Sequence, residues 1–285
     1  MSSPERTPPV RRPERRLHWW KETLIVSAFY LLYSLARNQF GSARVDAGEA
    51  PRHAFNNAMR VIDAERAIGL FHEESMQEWF LSQRWFIQFW NVFYGTAHFF
   101  VTLTIFVWMF ARGRAFFTRW RNALAFTTAL AIIGFSLFPL MPPRLLNAEG
   151  RYGGNDLAIE AQRTNFGFID TVHDYGGPWK FDSGTGAKVS NQYAAMPSMH
   201  IGWSMWCSIV VWRLTRRRWA RILAAVYPVA TLFCIIVTGN HFWLDGAGGL
   251  VALIAGWFLG AQFDQWNDQR QIRRTVATAL AIPVG

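Results

Sequence analysis

Three short segments carry residues that can do chemistry together. In His241-Phe242-Trp243-Leu244-Asp245 the histidine and aspartate are four apart, which on a helix stacks them on one face within hydrogen-bonding reach. A carboxylate on one ring nitrogen fixes the tautomer and leaves the other nitrogen to act as nucleophile or base. In Pro197-Ser198-Met199-His200 the proline suits the first turn of a helix, so backbone N–H groups around Ser198 and Met199 point out of the helix start and attract phosphate. Ser198 adds a hydroxyl donor and His200 a proton source. Pro142-Pro143-Arg144 supplies a guanidinium whose planar fork matches phosphoryl oxygens. Together they form a parts list for phosphoryl transfer. His241 attacks phosphorus, Asp245 orients it, His200 protonates the leaving oxygen, and Arg144, Ser198 and Met199 hold the equatorial oxygens. The spacing fits no zinc pattern, since neither a His-x3-His nor a Cys pair completes a shell, and no metal or other cofactor is expected.

Taken singly each segment has a blander explanation, because Pro-Ser opens many helices and a His-x3-Asp pair is often a plain polar contact. Their common location joins them. The 285 residues are 51% hydrophobic and 17% charged, and the charges are bunched. Uncharged windows remain at Trp85–Ala111, Asn122–Pro143, Val189–Trp212, Ile222–Leu244 and Gly246–Phe263, with a shorter one at Thr23–Ala36 that Trp19 and Trp20 extend as interfacial anchors. The expectation is an all-α integral membrane protein, a bundle of six transmembrane helices. The domains read as a basic, Pro-rich, disordered cytoplasmic tail at 1–18, a catalytic membrane domain at 19–263 and a cytoplasmic C-terminal tail at 264–285. With both termini inside, the inner segments hold 18 of the 29 Lys and Arg, including Arg216-Arg217-Arg218 in a short loop. That orientation brings all three segments to span ends on the extracytoplasmic face, and topology explains the net charge of +10 without a nucleic-acid partner. The first apolar segment is expected to be a retained span, a signal peptide being the alternative.

Between the first two spans, Phe55, Ala58, Met59 and Ile62 recur at helical spacing, predicting an amphipathic helix flat on the outer surface. Trp79, Phe80, Trp85 and Phe86 read as an aromatic belt. The Gly-rich loop 144–188 is long enough to be functional. Cys207 and Cys234 fall within spans and receive no role, and His98 is expected to be a buried bundle residue without a catalytic part.

On these residues the chain resembles the type 2 phosphatidic acid phosphatase superfamily, whose signatures include Pro-Ser-x-His and His-x3-Asp on a six-span bundle. It is similar in particular to the inositol phosphorylceramide synthase-like branch, through Pro142-Pro143-Arg144, Ala195-Met196-Pro197-Ser198-Met199-His200 and Thr238-Gly239-Asn240-His241-Phe242-Trp243-Leu244-Asp245. The resemblance implies a phosphohistidine on His241, oriented by Asp245, with His200 as general acid. Two cationic signatures of the hydrolases are missing: Leu137 stands where the Lys of Lys-x6-Arg-Pro belongs, and Cys234 and Ile235 replace Ser-Arg. Lys180 and Lys188 are candidates for the missing phosphate or acceptor contacts, with Arg151 and Arg163 as alternatives; His173 and Asp174 are candidates for acceptor recognition.

The resulting expectation is a phosphotransferase of a bacterial-type plasma membrane, acting on a membrane lipid phosphate ester with an inositol-containing or other alcohol as acceptor. Hydrolysis by a lipid phosphate phosphatase is the alternative. A transporter, the reading from another class, would place ionisable residues near the midplane, whereas these gather at one end. Nothing in the sequence sets the oligomeric state.

Overall fold

An uncharged run can satisfy its backbone inside a membrane only by bonding to itself, as a helix does. The computed structural model describes residues 18–39, 49–148, 154–163, 166–176 and 192–280, and within them the fold is helical with no strand. In chain order come α1 (Trp19–Gln39), α2 (Glu49–Ala67), α3 (Glu73–Leu81), α4 (Arg84–Phe110), α5 (Arg114–Leu137), a 3-10 turn (Pro143–Leu145), α6 (Gly154–Glu160), α7 (Thr171–Asp174), α8 (Met199–Leu214), α9 (Arg218–Val237) and α10 (Trp243–Leu280). The expected basic tail at 1–18, His18 apart, and residues 149–153, 164–165 and 177–191 lie outside the described residues.

Among the described residues four helices are long and apolar enough to cross a membrane: α4, α5 from Phe116, α9, and α10 as far as Ala277. The 27 residues of α4 reach about 40 Å at 1.5 Å per residue, more than a hydrocarbon core of about 30 Å. Their outward faces carry Phe100, Leu103, Val107, Val226, Val229, Val251, Ile254 and Phe258, all exposed. Water would oppose so continuous an apolar surface and lipid would not, which marks a membrane protein.

The other two expected spans differ from these four. α1 has 21 residues but includes Lys21, Glu22 and Arg37. α8 has only 16, about 24 Å, and starts ten residues after the Val189 that opened its uncharged window. Ile201, Gly202, Trp206, Cys207 and Val210 of α8 are buried, and the helix touches α4, α5, α9 and α10. It is apolar all round because it is the centre of the bundle. α10 is longer than expected: its 38 residues continue past Phe263 into the segment read as a tail.

On the opposite side of the bundle from this polar extension, the predicted amphipathic helix exists as α2, but its apolar stripe faces protein rather than a membrane surface. Phe55, Ala58 and Ile62 are fully or almost fully buried against Leu140, Met141, Leu145, Leu146, Phe166, Phe168 and Phe242. Burial of a side chain such as Phe55 or Ile62 contributes about 1.5–3 kcal/mol. Asn57 Nδ2 donates to Pro139 O at 2.8 Å, and exposed ion pairs Arg52–Glu160 and Arg163–Asp63 tie α2 to α6 and the turn after it. α2 therefore roofs the loops that carry the candidate residues.

Candidate active site

His241 and Asp245 meet as the four-residue spacing predicted, although not within one helix. His241 Nδ1 lies 3.1 Å from Asp245 Oδ2, and both side chains are buried. α10 begins only at Trp243, so His241 precedes the helix and Asp245 occupies its first turn. The same Oδ2 accepts the Phe242 N–H at 3.0 Å, so one carboxylate oxygen satisfies an orphan donor of the helix start and orients the imidazole. With Nδ1 held there, Nε2 is the ring's remaining reactive nitrogen.

The turn into His241 is built on Gly239, whose φ of +66° lies in the left-handed region. A Cβ at that position would also come 2.7 Å from Gln77 Nε2 and 3.2 Å from Arg144 Cβ. Glycine is thus demanded twice, by backbone and by space. Across this turn Gly239 O accepts the Arg144 N–H at 2.8 Å.

The second segment arrives from the opposite side. Ser198 is the N-cap of α8 and Pro197 precedes it, so the proline is outside the first turn where it was expected. The Ser198 N–H donates to Asp245 O at 2.9 Å, which joins the starts of α8 and α10 directly. Gly249, in the second turn of α10, permits this approach, since a Cβ there would collide with Ser198 O. Because the Ser198 amide is used, the outward donors at this helix start begin with Met199. Ser198 Oγ is fully buried and meets no acceptor among the described residues, which leaves its hydroxyl to a ligand.

His200, on the first turn of α8, places its ring edge-on to His241 with centroids 5.6 Å apart. Tyr94 of α4 stacks on His200 at 4.3 Å, and His98, one turn along α4, stands edge-on to it at 4.6 Å. His98 Nδ1 contacts Tyr94 O at 3.1 Å. His98, expected to be a buried bundle residue, is half-buried and lies in the same ring cluster.

Arg144 is held more tightly than a free phosphate clamp. Its Nε donates to Asn240 Oδ1 at 2.9 Å, Nη1 to Asp170 Oδ2 at 2.7 Å, and Nη2 to Gln192 Oε1. Three of the five guanidinium hydrogens point at protein acceptors, leaving two for a ligand. Asp170 is also the N-cap of α7, taking the His173 N–H on its other oxygen. Gln77 of α3 grips Ile169 from both directions, and Thr171 Oγ1 donates to Thr238 O at 2.9 Å. The long loop between α5 and α8 is thereby sewn to the histidine turn.

A family model described as the PAP2 superfamily matches residues 59–259. The chain belongs to the PAP2 superfamily. No curated protein and no solved structure matches it. Superfamily membership supports an enzyme of the phosphatase or phosphotransferase type, and the match includes every described residue of the cluster. Within this PAP2 chain the position of the superfamily's absent lysine is the exposed Leu137 at the end of α5. Lys180, Lys188 and Arg151 lie outside the described residues. Arg163 is engaged with Asp63 at 2.9 Å on the surface, and His173 pairs with Asp174 at 2.8 Å in an exposed position.

Sequence reasoning did not find Asp170, Gln192, Asn240 or Tyr94. Asn240 had a signal in standing next to His241, and Asp170 had one in opening an Asp-Thr-Val-His helix start. Gln192 and Tyr94 had none, since their roles exist only once α4 and the loop between α5 and α8 are brought to the histidine turn.

Proposed function

We propose that this PAP2 protein is an integral-membrane lipid phosphotransferase, similar to inositol phosphorylceramide synthase, working through a phosphohistidine. In this reading α1 and α8 complete a six-span bundle in a bacterial-type plasma membrane, with both termini cytoplasmic and the site outside. The observation that carries the chemistry is the buried His241–Asp245 pair with its ring 5.6 Å from that of His200.

In the first half-reaction His241 Nε2 forms a bond to phosphorus while the bond from phosphorus to the leaving oxygen breaks. His200 delivers a proton to that oxygen. Asp245 stabilises the positive charge that develops on the His241 ring by accepting the Nδ1–H hydrogen bond, without taking the proton. The two spare Arg144 hydrogens, Ser198 Oγ and the Met199 N–H stabilise the equatorial oxygens. In the second half an alcohol gives its proton to His200 and attacks phosphorus, releasing His241. Lys180 and Lys188 are proposed phosphate or acceptor contacts. The roles need no metal or other cofactor.

Water competes with the alcohol, so the decisive experiment compares the two. Purified protein in nanodiscs is given labelled phospholipid or polyprenyl phosphate donors, with and without inositol-containing or other lipid alcohols, beside a His241→Ala control. A new phospholipid formed faster than free phosphate or phosphorylated headgroup supports transfer. Predominant release with every acceptor makes the protein a lipid phosphate phosphatase, and no turnover of any donor overturns the enzymatic reading.

A further inference from the structure

Two buried glutamates outside the reacting set grip the chain directly after His241. Glu65, near the end of α2, accepts the Leu244 N–H on Oε1 at 2.8 Å. Glu73, in the first turn of α3, accepts the Trp243 N–H on Oε1 at 3.2 Å. The Phe242 N–H already goes to Asp245. Three consecutive amides at the start of α10 therefore meet three different carboxyl groups, each fully buried. These are the donors a helix start leaves without intrahelical acceptors.

Three buried carboxylate ions at one helix end would repel one another more strongly than a helix dipole of about half a charge can offset. Oε2 of Glu65 and Oε2 of Glu73 meet no other donor among the described residues, and the two side chains interact with each other. A hydrogen bond between two carboxyls needs a proton on one of them. The groups that act on Glu65 are Glu73 from α3, the Leu244 amide and Asp245 from α10. Burial first, then the hydrogen bond with Glu73 and the charges of Glu73 and Asp245, push the Glu65 carboxyl up to about 9. Burial and the neighbouring carboxyls thus favour one proton held between Glu65 and Glu73.

We propose that Glu65 and Glu73, sharing one proton, are positioning residues that fix the start of α10 and with it the His241–Asp245 geometry. The proposal rests on the phosphohistidine reading for its kinetic consequence but not for its structural one. At alkaline pH, near the raised value of about 9, the shared proton leaves, a further carboxylate charge is added beside those of the other two carboxyls, and the grip on Trp243 and Leu244 loosens. Turnover then falls on the alkaline side through kcat, since displacement of the nucleophile changes the chemical step more than lipid binding.

The test compares Glu65→Gln and Glu65→Ala with wild type in nanodiscs, following the pH dependence of kcat and KM and the hydrogen exchange of the 242–244 amides. Gln keeps an acceptor for Leu244 and a donor for Glu73 without an ionising group. It should stay within about threefold of wild type at pH 7 and lack the alkaline limb near 9. Ala should lower kcat on the order of 10²-fold, the loss expected when a reacting group moves by about 1 Å, with little change in KM. Amide exchange should speed in Ala and not in Gln. Equal kcat and an unmoved alkaline limb in all three proteins would overturn the proposal, as would unchanged exchange in Glu65→Ala. If no form turns over any substrate while exchange changes as stated, the phosphotransferase reading fails and the positioning role stands.

Discussion

Replacing Asp245 by Asn separates the two jobs of that side chain, and the geometry says how much each is worth. Oδ2 receives both the Phe242 N–H at 3.0 Å and the His241 Nδ1 hydrogen at 3.1 Å. An amide keeps both bonds only with its oxygen at that position, because the opposite orientation sets an NH2 against the backbone N–H. The histidine tautomer is therefore retained and the lost quantity is the charge. A hydrogen bond to a charged group is worth about 1.5–3 kcal/mol. At about 1.36 kcal/mol per decade, phosphoenzyme formation should slow about 10- to 150-fold. Asp245→Ala additionally leaves the Phe242 N–H buried without an acceptor, at about 1–3 kcal/mol of stability. The assay is single-turnover labelling of the protein in nanodiscs, quenched in base to preserve phosphohistidine, with thermal unfolding alongside. An Asn variant within threefold of wild type would refute the electrostatic role of Asp245. A loss far beyond 10³-fold would refute retention of the tautomer.

His241→Ala should abolish phosphoenzyme trapping altogether, whereas His200→Ala should slow turnover by about 10²–10⁴ and recover in part with a donor whose leaving group needs no proton, read by trapped label against leaving-group acidity. Arg144→Lys should not be conservative, since one ammonium cannot reach Asn240, Asp170 and Gln192 together; thermal melts and kcat/KM should both fall, and wild-type values for both would assign Arg144 no specific role. For topology, single cysteines at Gly153 and at Arg217, on a background without Cys207 and Cys234, should be labelled by an impermeant thiol reagent in intact cells at 153 and not at 217, the reverse pattern refuting the orientation.

The parts of the site that were legible in the sequence are local. A four-residue spacing brings His241 and Asp245 together wherever the chain turns helical near them, and Pro-Ser before an apolar run announces the start of α8. Span ends then place the segments near one another, because each charge-free window leaves its polar residues at its edges. What was not legible depends on which segments fold back. That α8 is the bundle's central helix was not legible, since a helix packed among helices and a helix facing lipid have the same composition. α2 looked like a surface helix for the same reason: its apolar stripe does not say whether lipid or Phe242 covers it. One signal in that stripe was readable all the same. Phe55, Ala58 and Ile62 continue at the same helical spacing to Glu65, a carboxyl where the pattern asks for an apolar side chain. A buried acid on an otherwise apolar face needs donors to justify its position. In this fold it finds one in the Leu244 amide, three residues after His241. The residue that breaks the hydrophobic pattern of the roof is thus the one that ties the roof to the candidate nucleophile.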